Sequence, residues 1–349
     1  MLKTIKILSI VLVALTLAGK VDAAEKYIVQ NGSPAPGSVN LDIYVANRLG
    51  FFADEGLDVE MRYSQGAPQA TQIAASGAAD MARVSFEPYL SGYSKGLRGK
   101  FYMRSNYHNI FWLAVLEGSD IKAVGDLKDK KIGVINMGSG ALVVARSMLR
   151  QAGIQPDNSM FLPVGAGPSA LRALQEGKVS AVALWDAGYS ALERHGAKLK
   201  YLHHPVIGKI GNSGFFISDA SLKSKQDAHV KFLRAVVKAR AFIGENKDAA
   251  LKMYWDEIPG AKVGDTPEQQ HANGMAEITF MQPFPAGIAV KDLGRFNLDD
   301  LAKYLAVMKE EAVLEANLSV ADIFSNELLD KIGPINLDDV LRRAPKKAP

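Results

Sequence analysis

The residues able to do chemistry fall at the ends of short β-forming runs. Trp185-Asp186 closes the run Val179 to Leu184, setting an aromatic face beside a carboxylate. Ser85-Phe86-Glu87 ends the run from Met81 in the same manner. Such pairs can stack on a flat ligand while the acid accepts a hydrogen bond. Three small-residue turns lie between a strand and a helix: Gly37-Ser38, Gly66-Ala67 and Ser139-Gly140. Glycine lets the backbone approach a ligand, and the free N–H groups of a first helical turn attract negative charge. These residues, with Asn212 farther along, are the candidate ligand contacts.

Catalysis has no comparable set. Gly211-Asn212-Ser213-Gly214 has the wrong spacing for a Gly-x-Ser-x-Gly elbow. His203 and His204 are adjacent, so on a strand they point to opposite sides, and no His-x₃-His partner exists. His108 and His195 read as ordinary surface or packed residues. No phosphate-binding Gly-x₄-Gly-Lys-Ser/Thr occurs. The chain has no cysteine, which excludes disulfides, thiolate metal centres, iron–sulfur clusters and a thiol nucleophile. No catalytic residue, metal or cofactor is expected. One competitor is Gly165-Ala166-Gly167-Pro168-Ser169-Ala170, which fits G-x-G-x-x-A, follows a strand and opens a helix. Asp186 follows at about the ~20-residue spacing of a ribose-binding acid, which would make the chain an exported dinucleotide-dependent oxidoreductase. Pro168, however, removes an N–H that would face the pyrophosphate, and the motif lies inside the second block described next.

Those turns must be positioned by alternating strands and helices. Tyr27-Ile28-Val29, Leu57 to Tyr63 and Met81 to Phe86 read as strands. Between and after them lie helical patterns from Leu41 to Leu49, Gln69 to Ala75, and Pro88 to Tyr93. The rhythm restarts with strands at Lys131 to Asn136, Met160 to Val164 and Val179 to Trp185, and helices that stop at Gly153, Gly177 and Gly196. Strands alternating with helices imply βαβ units and largely parallel sheets covered on both faces. His108 to Leu116 and Ser213 to Ser218 are β-forming runs flanking the second block. They suggest that the chain crosses into a second lobe and returns. Helical patterns then dominate: Ala228 to Ile243, Lys247 to Tyr254, Pro267 to Phe280 and Leu298 to Leu314. The expected division is 24–112 with 213–349 as one lobe and 113–212 as the other. The basic, proline-containing end from Arg342 is expected to fray.

The 349 residues suffice for two domains of ~150 residues, and 48% hydrophobic with 22% charged residues suits a globular chain. Lys3 and Lys6 precede an unbroken apolar-to-small run, Ile7 to Gly19, and Val21-Asp22-Ala23 offers small residues for a signal peptidase. Residues 1–23 therefore read as a cleaved signal peptide. Cleavage removes three lysines and one aspartate, taking the formal charge from +4 to +2. The remaining basic residues are dispersed, whereas nucleic-acid binding needs a concentrated basic face. No Arg-Arg pair precedes the apolar run, so export unfolded is expected, without a cofactor loaded in the cytoplasm.

The stretch Ala46-Asn47-Arg48-Leu49-Gly50-Phe51-Phe52-Ala53-Asp54-Glu55-Gly56-Leu57-Asp58-Val59 resembles the opening motif of the NMT1/THI5-like family. That family includes binders of sulfonates, taurine, nitrate and pyrimidine precursors. Ala74 to Asp80 is similar to its A-L-x-x-G-x-A-D element, and Ile121 to Val134 to its entry into the second domain. Gln175 to Ala181 resembles x-x-G-x-V-D-A, with Ser180 where Asp is usual. The resemblance implies a two-lobed, type II-like periplasmic binding protein, α/β in each lobe, with mostly parallel sheets flanked by helices and two inter-lobe crossings. It implies a periplasmic monomer that clamps a small molecule in the cleft and hands it to an ABC permease with its ATPase. A receptor presenting the ligand to a sensor is the other role it allows. The fungal pyrimidine-forming branch uses a cysteine-rich segment, which this chain lacks. The expected solute is small and organic with a planar portion: a sulfonate, an aromatic or heterocyclic acid, or a pyrimidine. Helix starts near Ser38, Ser139 and Pro168 suit an anion, whereas Glu87 and Asp186 suit an amine or ring N–H. No arginine at a strand end suggests a bidentate anion clamp.

Overall fold

A computed structural model describes residues 23–281, 284, 288–314 and 317–343. The expected leader, residues 1–23, lies outside the described residues except for Ala23, as does the terminal stretch 344–349. Among the described residues no helix is long and apolar enough to cross a membrane.

Two five-stranded sheets organise the chain. In the first, β1 (Glu25–Asn31) pairs in parallel with β2 (Leu57–Tyr63) and β3 (Met81–Ser85). The order is β2-β1-β3-β10-β4, where β4 is Gly99–Arg104 and the returning β10 is Ser213–Ser218. β10 runs antiparallel to both neighbours, so four of the five strands share one direction. The second sheet repeats the plan as β7-β6-β8-β5-β9. Its strands are β5 (Phe111–Leu116), β6 (Ile132–Val134), β7 (Phe161–Pro163), β8 (Ala181–Trp185) and β9 (Leu199–Leu202), with β5 antiparallel to β8 and β9. Each sheet thus takes its odd strand from the segment that follows a crossing.

The chain crosses twice, between β4 and β5 and between β9 and β10. Phe111 and Trp112 pair with Trp185 and Leu184, so all of β5 belongs to the second sheet. The expected division at 112/113 therefore cuts through a strand, and the crossing itself occupies residues 105–110. The strand β4 carries little strand pattern in the sequence. Its apolar centre, Phe101-Tyr102-Met103, is buried on both faces, but basic residues and Gly99 flank it and mask the signal.

The longer helices are α1 (Leu41–Arg48), α2 (Ala67–Ala75), α3 (Glu87–Tyr93), α4 (Gly140–Gln151), α5 (Pro168–Gln175) and α6 (Asp186–Arg194). After β10 come α7 (Asp219–Glu245), α8 (Lys247–Glu257), α9 (Pro267–Met281) and α10 (Leu298–Glu310), the last ending before the expected Leu314. The Ser218 hydroxyl accepts the Ser221 N–H and caps α7, whose backbone kinks at Lys225. Phe232 of α7 stacks on Tyr27 at 4.9 Å and on Phe52 at 5.2 Å. Glu55 pairs with Arg234 and Lys238 on the same helix. Gly50-Phe51-Phe52 and Glu55 therefore lock the turn before β2 onto α7.

One apolar cluster spans both lobes: Phe86, Tyr89 and Phe101 from the first join Leu113, Ile132, Leu142 and Met148 from the second. Helix α10 contributes Leu301, Tyr304, Leu305 and Met308 to it. Arg150 of α4 forms an ion pair with Glu311, just beyond α10. The C-terminal segment, expected wholly within the first lobe, thus also packs on the second.

Candidate functional site

Between the two sheets lies a cavity of about 110 Å³, walled by strand ends and turns from both lobes. Gly66, Ala67 and Ser85 line it from the first lobe, and Ser139, Gly140, Trp185 and Asp186 from the second. Gly66 precedes α2 with φ 131°, a conformation that only glycine adopts without strain. Ser139 caps α4, its hydroxyl accepting the Leu142 N–H, so the start of α4 faces the cavity. The Asn136 carboxamide oxygen accepts the Gly138 N–H and shapes that turn.

Five of the expected contacts lie elsewhere. Phe86 sits in an aromatic cluster with Phe101, Tyr304 and Phe324, its ring 4.7–5.7 Å from theirs, and is core rather than a stacking platform. Glu87 is buried between the lobes. It accepts hydrogen bonds from Tyr304 Oη and, at 3.0 Å, from Asn212 Nδ2, and burial raises its pKa. Gly140 is small because a Cβ there would meet the Glu87 carboxylate and the Phe111 ring, each at 2.5 Å. Gly37 and Ser38 do not line the cavity, although Val39 of the same 3₁₀ turn does, and the Ser38 hydroxyl donates to Glu277 Oε1 at 2.8 Å.

Asn212 does not line the cavity but ties the two crossings together. Its Oδ1 accepts the Ile110 N–H of the first crossing at 2.9 Å, and its backbone carbonyl accepts the Phe86 N–H. Its side chain is fully buried between the crossings. Asn212→Ala is expected to cost about 2–3 kcal/mol, because it strands a buried N–H and removes a donor from buried Glu87. A urea-denaturation midpoint within error of the parent would refute that role.

Arg83, which the sequence reading did not single out, lies in the cavity wall. It projects from β3 and is 4% exposed. Its Nη1 donates to Asp42 Oδ1 at 2.6 Å. Asp42 Oδ2 accepts Arg240 Nε and Nη2 at 3.0 and 2.9 Å, with Arg240 fully buried. Burial pushes the Asp42 carboxyl up, but the two guanidiniums outweigh this and hold it below its usual range. The signal for Arg83 was legible: a charge inside Met-Ala-Arg-Val-Ser, a strand buried on both faces, demands a partner or a task.

Asp186 faces Arg83 from the second lobe. Burial raises its pKa to about 7, against the Ala187 N–H, which it accepts at 2.8 Å, and the positive charge of Arg83. His108 Nε2 lies 3.8 Å from Asp186 Oδ2, and burial keeps that imidazole below its ordinary pKa. His204 is tied to Ser147 at 2.9 Å, while His203 packs on Trp112, so the adjacent pair is divided as expected. Among the described residues no group of His, Asp and Glu is arranged to hold a metal.

The dinucleotide-like motif stands apart from the cavity. It follows β7, an edge strand, and β6 separates β7 from the β8 strand that carries Asp186. A dinucleotide fold needs those two strands adjacent, with the acid reaching the ribose.

Residues 39–250 match the family model described as NMT1/THI5 like. A formylaminopyrimidine-binding protein of Halalkalibacterium halodurans is 25% identical over 267 residues, which cover 72% of this chain and 78% of that protein. THI13 of Saccharomyces cerevisiae, named a 4-amino-5-hydroxymethyl-2-methylpyrimidine phosphate synthase, is 24% identical over 243 residues, 66% of this chain and 70% of its own. The crystal structure of the periplasmic aliphatic sulphonate binding protein SsuA from Escherichia coli superposes with a TM-score of 0.62 at 16% identity. That match covers 88% of this chain and 99% of SsuA.

Proposed function

The chain belongs to the NMT1/THI5-like family, and from that premise we propose that it is the periplasmic solute-binding component of an ABC importer. It captures a small organic solute between its lobes and delivers it to a permease driven by an ATPase. The observation that carries this reading is the cavity whose walls come from both sheets, beside two crossings that are hydrogen-bonded to each other. A solute touching both walls favours the closed form through its differential affinity for the two states. The permease then distinguishes closed from open lobes. The names of the pyrimidine-binding and sulphonate-binding relatives support the same class of solute.

We group the chain with the binding proteins rather than the fungal synthases, since it has no cysteine to build that branch's cysteine-rich segment. Export through the leader at 1–23 and action as a monomer complete the reading.

Trp185→Ala is expected to weaken solute binding on the order of 10-fold by removing an aromatic wall. Ser139→Trp, which fills the mouth beside it, should abolish binding. A thermal-shift screen of sulfonates, aromatic acids and pyrimidines supplies the probe: a binder at 100 times its dissociation constant adds about 2.7 kcal/mol. Scattering should show a more compact particle with that compound. Calorimetry in which neither variant weakens binding would displace the site, and turnover of the compound by the purified protein would overturn the receptor reading.

A further inference from the structure

The receptor reading leaves the charge of the solute open, and the wall of the cavity bears on it. Asp42 is a single carboxylate shared by two buried guanidiniums, so this cluster carries one uncompensated positive charge. Arg240 cannot present that charge to the cavity, because its Nε and Nη2 are held by Asp42 and its Nη1 by the Arg104 carbonyl. Arg83 can. Only its Nη1 is held by Asp42, and its Nε and Nη2, both buried, have no partner among the described residues. Phe215 lies against the guanidinium at 5.1 Å and fixes its plane.

We infer that Arg83 is the anchor of the cavity, and that the solute carries one oxyanion head, a carboxylate or sulfonate, received by its Nε–Nη2 edge. This inference rests on the receptor reading. A planar fork with two N–H groups in line is the geometry that pairs bidentately with such a head. Burying those donors without a partner is costly, so they call for an acceptor. The Ser105 hydroxyl, buried and also unpartnered among the described residues, lines the same wall. The start of α4 across the cavity adds the positive end of a twelve-residue helix. Asp186 offsets this charge only in part near neutrality, since burial raises its pKa to about 7. Ile110, Phe111, Ile135 and Met281 form apolar wall that would cover the body of the solute. An amine would instead meet the bare guanidinium with like charge.

The test is a thermal-shift and calorimetry panel of matched compounds: carboxylate, sulfonate, carboxamide and amine on phenyl, pyridyl and butyl skeletons. The acids are expected to stabilise the protein and the amides and amines to fail. Arg83→Lys keeps a cation opposite Asp42 but lacks the forked edge, and should weaken the acids on the order of 100-fold. Arg83→Gln should remove their binding altogether. Arg83→Lys is the decisive variant if Arg83→Gln fails to fold. Stabilisation by amides or amines alone overturns the anionic head and leaves the receptor reading standing, as does acid binding undiminished in Arg83→Lys for the anchor. A panel in which no member of any class binds counts against both.

Discussion

Asp42→Ala should lower the unfolding free energy by about 4 kcal/mol, or leave no soluble protein at all. Deleting this carboxylate leaves Arg83 and Arg240 facing each other, 4% and 0% exposed, without the carboxylate that bridges them. The remaining polar contact of Arg240 is the neutral carbonyl of Arg104, and Asp186, which faces Arg83, is itself held partly protonated by burial. The cost of breaking such a group comes chiefly from the uncompensated buried charge that remains, rather than from the lost attraction. The same carboxyl sets an acid limit. Its folded pKa is depressed, so its contribution is present above the unfolded value near 3.8 and is lost as pH falls through the folded one. Urea denaturation at neutral pH measures the first effect, and a loss below about 1 kcal/mol would mean that the guanidiniums are solvated after all.

The second large effect has the opposite sign. Asp186 is raised from 3.8 to about 7, so the folded state holds a proton that the unfolded chain has released. Its contribution is fully present below pH 3.8 and is lost as pH rises through about 7. The difference amounts to about 4 kcal/mol between those limits. The groups facing it are Arg83, the Ala187 N–H and His108, which burial disposes to remain neutral over most of that window. Asp186→Asn keeps the shape and removes the titration. The variant should match the parent near pH 4 and exceed it by several kcal/mol at pH 8. Part of the slope will survive in the variant, since burial also raises Glu87. Parallel stability profiles for parent and variant from pH 4 to 8 would show that Asp186 is solvated in the folded protein.

Legibility in the sequence followed the range of the interactions. Trp185-Asp186 and Ser139-Gly140 could be found because a strand end or helix start is a local event, and both reach the cavity. Glu87 and Phe86 carried the same local signal yet turned inward, where Tyr304, 217 residues away from Glu87, supplies the partner. The G-x-G-x-x-A motif showed a turn correctly, while its place on an edge strand depends on sheet order, which no spacing records. Arg83 was visible as an anomaly only. Its role waits on Asp42, 41 residues away, and on Arg240, which is 198 residues from Asp42.

By itself, then, the amino-acid order determined two α/β lobes, two crossings and the family. Apolar periodicity, glycine stops and the Gly50-Phe51-Phe52 turn are short-range signals, and Phe51 and Phe52 are packed in the core. Which polar groups face the cavity was decided only by the tertiary structure. Burial makes each charge depend on the partners that the fold brings to it, and those partners come from remote parts of the chain.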